Sequence, residues 1–199
     1  MVALNAVPMA HQFIRPKLAT ASLVVDATAG NGKDTLFLAE NSAATTAVWV
    51  FDIQQQALTK TEMLLSRHKL TDKVRLVLDS HANIADYIDQ PVDAVMFNLG
   101  YLPGGDQAIN TSPATTILAI TQSLQLLAVG GVITIAAYPG YEHGRLECHA
   151  VHEYLTRLSQ KDFTIACWSM VNQKNNPPVL YVIEKIRGEQ LEGSTSLKD

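Results

Sequence analysis

Apolar, β-rich runs alternate along this chain with longer segments of helical period. The pattern predicts strands at about 22–27, 47–52, 74–79, 92–98, 131–137, 163–171 and 178–185. Helices fit between them at about 8–18, 33–41, 54–69, 82–89, 112–128 and 145–160. In the stretch 54–69, Ala57, Leu58, Leu64 and Leu65 face inward, with Lys60, Glu62, Arg67 and Lys69 outside. Gly130-Gly131 sits where a helix is expected to stop before a strand. Such alternation implies an α/β fold: a doubly wound, seven-stranded, mainly parallel sheet covered on both faces. The last two strands have only the polar linker Asn172–Pro178 between them, which predicts a C-terminal antiparallel hairpin. We expect one domain over 1–187 and a polar, frayed tail over 188–199.

Composition narrows the class. Hydrophobic residues are 47% and charged residues 17% of 199, which indicates a globular chain with a sizeable core. A net charge of −4 argues against a general nucleic-acid coat, while leaving room for a local basic patch. Cys148 and Cys167 match no zinc spacing and build no disulfide scaffold, so they are expected as reduced, buried small residues in a cytoplasmic protein. Met1–Ala10 has no basic segment ahead of an apolar one, so no secretory leader is expected. The apolar run Leu124–Tyr138 is too short to span a bilayer, so no membrane partner is expected.

Candidate chemistry gathers at the strand ends. Val25-Asp26-Ala27-Thr28-Ala29-Gly30-Asn31-Gly32 closes the first strand ahead of a helix. A triphosphate P-loop fails there, because Ala27 occupies the first glycine position and Asp34 follows Lys33. A dinucleotide fingerprint fails at Thr28 and Lys33, and Asp34 would repel a pyrophosphate. The remaining reading is a nucleoside without phosphates: Asp26 to face an ammonium group, with Gly30 and Gly32 leaving room for the ligand. Asp52 closes the second strand, where a carboxylate can hold two ribose hydroxyls, or serve only as a solvated turn acid. Asp79-Ser80-His81 closes the third, framing an adenine or capping a helix. The fourth ends Asn98-Leu-Gly-Tyr101-Leu-Pro-Gly-Gly-Asp106: an amide, an aromatic ring and flexible glycines at the mouth of a buried strand.

Taken together these segments resemble the class I S-adenosylmethionine-dependent methyltransferases. More narrowly, the chain is similar to the family long labelled rRNA methylase, whose characterised members methylate the aminomethyl group of 5-aminomethyl-2-thiouridine at the tRNA wobble position. The match runs through Val25–Gly32, Asp34–Ala39, Phe51–Gln54, Ser80-His81, Phe97–Asp106, Thr115–Ile117 and Pro177-Pro178, nearly the whole chain, with His11 where the family carries a histidine. Lys33 stands where a His or Asn is expected, and Tyr141 where a histidine usually follows the glycine, with His143 two positions on. The resemblance implies a Rossmann-like fold and S-adenosyl-L-methionine as cofactor. It implies cofactor contacts from Asp26, Thr28, Gly30, Asn31, Gly32, Asp34, Thr35, Asp52, Ile53, Gln54, Ser80, His81 and Asn98. Catalytic candidates are Asn98, to orient an amine; Tyr101, to stack on a flipped base; and Asp106, which with Tyr138 or His143 could assist proton removal. The implied partner is tRNA, or alternatively rRNA. A small-molecule N- or O-methyltransferase and a non-catalytic nucleoside- or RNA-binding module stay open.

Neither cysteine falls at a strand mouth, which disfavours carbon methylation of a pyrimidine. His149 and His152, with Glu147 and Glu153, read as a solvated helix face and not a metal site. Arg15, Lys17, Lys33, Arg145, Arg157 and Lys174 are candidate RNA contacts, and a homodimer would widen their footprint.

Overall fold

A computed structural model describes residues 4–102, 104 and 110–187. Its seven strands are β1 (Leu23–Asp26), β2 (Ala47–Asp52), β3 (Val74–Leu78), β4 (Val92–Asn98), β5 (Leu127–Ala137), β6 (Phe163–Trp168) and β7 (Val179–Lys185). They form one sheet in the order β3-β2-β1-β4-β5-β7-β6. β7 runs antiparallel to both β5 and β6, and the other pairings are parallel. The doubly wound sheet and its terminal hairpin stand as the pattern implied. The helices are α1 (Ala6–Leu18), α2 (Lys33–Asn41), α3 (Gln55–His68), α4 (Ile84–Tyr87), α5 (Pro113–Leu126) and α6 (Glu142–Leu155).

Strand residues alternate between two cores. Val25, Phe51, Val95, Phe97, Ile133 and Ile135 pack with Ile84, Ile120 and Val151 of α4, α5 and α6. Val24, Val48, Val50, Ala94 and Met96 pack with Ile14, Leu38 and Leu58 of α1, α2 and α3. Central strands are therefore buried on both sides, which is why they read as continuous apolar runs. The strand order reverses between β1 and β4, and such a switch point leaves a crevice at the carboxyl ends of the strands.

Four local expectations differ. The 82–89 helix is a 3-10 turn, His81–Asn83, followed by the single helical turn α4. Gly130-Gly131 does not stop a helix: α5 ends at Leu126 and the glycines lie inside β5. There the register moves from Val92↔Leu127 to Ala94↔Val132, so β5 carries extra residues in a bulge. A Cβ on Gly131 would lie 2.8 Å from both the Ala128 carbonyl oxygen and Leu127 Cδ1, which explains the glycine. Cys167 is exposed because β6 is the edge strand, and Cys148 is only half-buried, so neither is the small core residue expected; both are free thiols. Leu64 is also only half-buried, and Thr61 takes its place on the inner face of α3.

Candidate active site

The crevice at the β1/β4 switch point is a cavity of about 640 Å³, within the usual range for small-molecule sites. On one side lie the β1–α2 turn and the ends of β2 and β3: Thr28, Gly30, Asn31, Asp52, Ile53, Gln54, Ser80 and His81. On the other lie Asn98, Tyr101, Tyr138 and Tyr141. Val7 of α1 and Asp34 of α2 also line it. Most of the residues expected at the cofactor site line this cavity.

Three expected cofactor residues stand behind the wall. Asp26 is fully buried and lines no part of the cavity. Its Oδ1 accepts the Thr28 N–H at 3.0 Å and its Oδ2 the Thr35 hydroxyl at 2.6 Å. Asp26 therefore shapes the turn from behind the cavity wall. Burial, with the Asp34 carboxylate nearby, pushes its pKa up to about 7. Thr35 is likewise fully buried. Gly32 leaves its room to the protein: at φ 79°, its missing Cβ would sit 2.9 Å from Thr61 of α3.

Asp52 behaves differently. Its carboxylate lies on the wall, where Oδ2 accepts the Gly30 N–H and Oδ1 the Gln54 N–H, each at 2.9 Å. It binds the β1–α2 turn to the β2 end and keeps lone pairs for hydroxyl donors. Asp79 lines the cavity beside Ser80 and His81. Its oxygens already accept from Ser80 N–H, Asn83 Nδ2 and the Tyr87 hydroxyl, which holds its pKa below the usual carboxylate range. Ser80 caps the 3-10 turn by accepting the Ala82 N–H at 3.1 Å.

At the β4 end a chain of side chains converges on Asn98. Its Nδ2 donates to Asp34 Oδ2 at 3.1 Å, while its Oδ1 accepts the Tyr138 hydroxyl at 2.8 Å. The other Asp34 oxygen lies 2.6 Å from His11 Nε2 of α1. The His11 ring stacks on Phe37 with centroids 3.8 Å apart. Burial pushes the Tyr138 phenol up to about 12, so it remains a donor at neutral pH. The Asn98 N–H is also fixed, donating to Thr28 Oγ1 at 2.8 Å. Tyr101 is 39% exposed and meets Tyr141 edge-on, at 5.9 Å between centroids. Gly144 lets α6 approach: a Cβ there would lie 2.0 Å from the Tyr138 carbonyl oxygen.

The sequence-matched family is labelled Putative rRNA methylase and covers residues 48–184. The chain belongs to the Putative rRNA methylase family. It is 30% identical over 191 residues to the chloroplastic tRNA (mnm(5)s(2)U34)-methyltransferase of Arabidopsis thaliana, covering 91% of this chain and 70% of that one. A Clostridium thermocellum protein of the same rRNA-methylase designation superposes with a TM-score of 0.91 at 44% identity, over 94% of this chain and 100% of its own. A Streptococcus mutans protein solved with SAH superposes at 0.84 and 38% identity, over 93% and 99%. This methyltransferase is therefore an S-adenosylmethionine-dependent enzyme acting on RNA.

The cavity of this methyltransferase fits such a cofactor on its own chemistry. His81 Nδ1 faces the Ala27 carbonyl at 3.2 Å, so that nitrogen carries the proton, and burial pushes the ring's pKa down. Its Nε2 is then a buried acceptor with no hydrogen-bond partner. Together with Asp52, the wall offers acceptors to an adenosine and an exposed apolar Ile53 to lie against. Among the described residues no group of His, Cys, Asp or Glu could hold a metal ion, and no helix is long and apolar enough to cross a membrane.

Some site residues take a different part from the one the sequence suggests. Tyr138 was a candidate for proton removal, but a high phenol pKa suits it to donating. His11 was noted only for its place in the family, and its contact with Asp34 spans 23 positions. Thr111 and Ser112 line the cavity with no signal in the sequence to mark them, beside Thr115 of the family-matched segment. His143 is exposed and outside the lining, and Asp106 lies outside the described residues. Of the candidate RNA contacts, Lys33 lines the cavity, and Arg145 and Lys174 are exposed. Arg15 lies over Phe37 and bonds Asn41, while Lys17 pairs with Glu184 at 3.7 Å and Arg157 with Glu153 at 2.9 Å.

Proposed function

We propose that this enzyme methylates the aminomethyl nitrogen of 5-aminomethyl-2-thiouridine at the wobble position of tRNA. The observation that carries the proposal is the fixed amide of Asn98. Asp34 is acceptor-only and Tyr138 is a donor, so together they dictate which end of the amide is oxygen. One lone pair of Oδ1 remains to accept an N–H from an incoming amine. Asn98 cannot take a proton, so it orients a neutral amine and the departing proton leaves to water. When bound, S-adenosylmethionine supplies a sulfonium methyl, so the C–N bond forms as the C–S bond breaks and its electron pair passes to sulfur.

In this reading Asp52, Ile53, Gln54, Ser80 and His81 hold the adenosine, while Thr28, Gly30, Asn31 and Asp34 border the methionine end. Tyr101, exposed at the rim, stacks on the flipped base, an interaction worth roughly 1–3 kcal/mol per base. Neither cysteine lines the cavity, which favours a nitrogen acceptor over ring carbon. The Arabidopsis relative supports tRNA over rRNA by its name. Free thiols suit a cytoplasmic enzyme, and a homodimer would extend the cationic contact beyond Lys33 and Arg145.

Mass spectrometry of tRNA nucleosides from a strain lacking the gene is the test. Loss of 5-methylaminomethyl-2-thiouridine with build-up of the aminomethyl precursor is expected. An intact methylated nucleoside rejects the proposed substrate, and cofactor binding without transfer to any RNA favours a binding module instead.

A further inference from the structure

A buried carboxylate with no cation partner among the described residues lies behind the Tyr101 side of the cavity. Glu147 of α6 is 3% exposed. Its Oε2 accepts the Thr111 hydroxyl at 2.7 Å and its Oε1 the Thr116 hydroxyl at 2.6 Å. Thr111 Oγ1 in turn accepts the Gly100 N–H at 2.8 Å, and the Thr111 N–H donates to the Gly100 carbonyl at 3.0 Å. The next residues outward, Tyr101 and Asn110, form an antiparallel bridge. A directed chain therefore runs from the Gly100 N–H through the Thr111 hydroxyl into Glu147.

The direction of that chain explains why a carboxylate stands there. A carboxylate only accepts, so both threonine hydroxyls must donate into it, and Thr111 keeps its lone pairs for Gly100. An amide would present a donor at one end and force a hydroxyl to turn. Burying the charge is costly, and a packed apolar residue would fill the space at lower cost. Burial does push the Glu147 pKa up, against the two hydroxyl bonds. What this arrangement secures is geometry. Gly100 sits at φ 120°, in the region that favours glycine, and a Cβ there would lie 2.8 Å from the Tyr141 hydroxyl. The unusual exit of β4 is thus held at one point from α6, which also contributes Tyr141 at its N-terminal end.

We propose that Glu147 is a positioning residue that, through Thr111 and Gly100, sets Tyr101 for the RNA base. The proposal rests on the RNA-substrate reading above. Glu147 touches neither the cofactor wall nor the Asn98 chain, so its loss acts on RNA and not on S-adenosylmethionine.

The test compares Glu147→Gln, Thr111→Val and Thr111→Ser, with amide exchange at Gly100 and steady-state kinetics on tRNA that carries 5-aminomethyl-2-thiouridine at the wobble position. Glu147→Gln and Thr111→Val should raise KM for RNA about tenfold, the scale of one hydrogen bond to a charged group, with S-adenosylmethionine affinity retained. Gly100 exchange should quicken in both, and Thr111→Ser, which keeps the hydroxyl, should recover most of each effect. Wild-type KM and exchange in Thr111→Val overturn the proposal. So does Thr111→Ser as defective as Thr111→Val, or cofactor affinity that falls in step with RNA affinity. A wild-type enzyme that transfers nothing to RNA overturns the substrate reading alone, and Gly100 exchange then decides whether the brace exists.

Discussion

Asp34 accepts the side-chain N–H of Asn98 at 3.1 Å, and this contact orients the amide that faces the cavity. The two residues are 64 positions apart, on α2 and at the end of β4, on the two sides of the sheet's switch point. Removing the amide should spare the cofactor and spoil the attack. In Asn98→Ala, kcat is expected to fall about a hundredfold, the cost of misplacing a reacting atom by an ångström. Isothermal calorimetry should show S-adenosylmethionine affinity unchanged. Full activity in this variant removes Asn98 from the mechanism.

Tyr138→Phe tests the other end of the same amide. The ring stays, but Asn98 Oδ1 loses the hydroxyl that donates to it at 2.8 Å. With Asp34 as its one remaining side-chain anchor, the amide gains freedom. We expect kcat to drop about two- to tenfold, the net worth of a neutral hydrogen bond, with KM for the cofactor unaltered. A loss confined to KM would place Tyr138 in binding alone.

The sheet was legible because its central strands are buried on both faces, which writes them into the sequence as apolar runs. The sides of the β1–α2 turn were not. Asp26, Gly32 and Thr35 stand close to Gly30 and Asn31 in the sequence, yet Asp26 at the end of β1 and Thr35 in α2 are fully buried, and Gly32 packs against Thr61. Glu147 was read with His149 as a solvated face. The signal against that reading was present: Gly144, Glu147, Val151 and Leu155 follow helical spacing, and all four are buried. The links His11–Asp34, Asp34–Asn98 and Asn98–Tyr138 have no local signature, because they join residues 23, 64 and 40 positions apart.

Asp52 carries two loads, and its removal should show both. It holds the Gly30 and Gln54 N–H groups at 2.9 Å, and in the proposed site it accepts the ribose hydroxyls. Asp52→Ala should weaken S-adenosylmethionine binding by roughly ten- to a hundredfold, given about 1.5–3 kcal/mol for hydrogen bonds to a charged group. Calorimetry reads the affinity directly. Wild-type affinity in Asp52→Ala would move the ribose elsewhere in the cavity.

Asp26 predicts a pH dependence of stability with a definite sign. Its pKa stands at about 7 in the folded chain against an ordinary value of 3.8, chiefly because the fold buries it. Between those values the folded state holds a proton that the unfolded chain has released. The associated stability is therefore fully present below about pH 4, declines as pH rises toward 7 and is gone above it. Asn at this position stays neutral throughout and can keep both the Thr28 and Thr35 contacts by rotating the threonine hydroxyl. Thermal unfolding midpoints at pH 5 and pH 8 should fall further for the wild type than for Asp26→Asn, by at least about 2 °C, the shift expected for one kcal/mol in a chain of this size. Asp52 and Glu147 are also raised by burial, but both proteins contain them, so the difference between the two slopes isolates Asp26. Equal slopes would mean that Asp26 is already ionised in the folded protein, its charge held by the Thr28 N–H and the Thr35 hydroxyl alone.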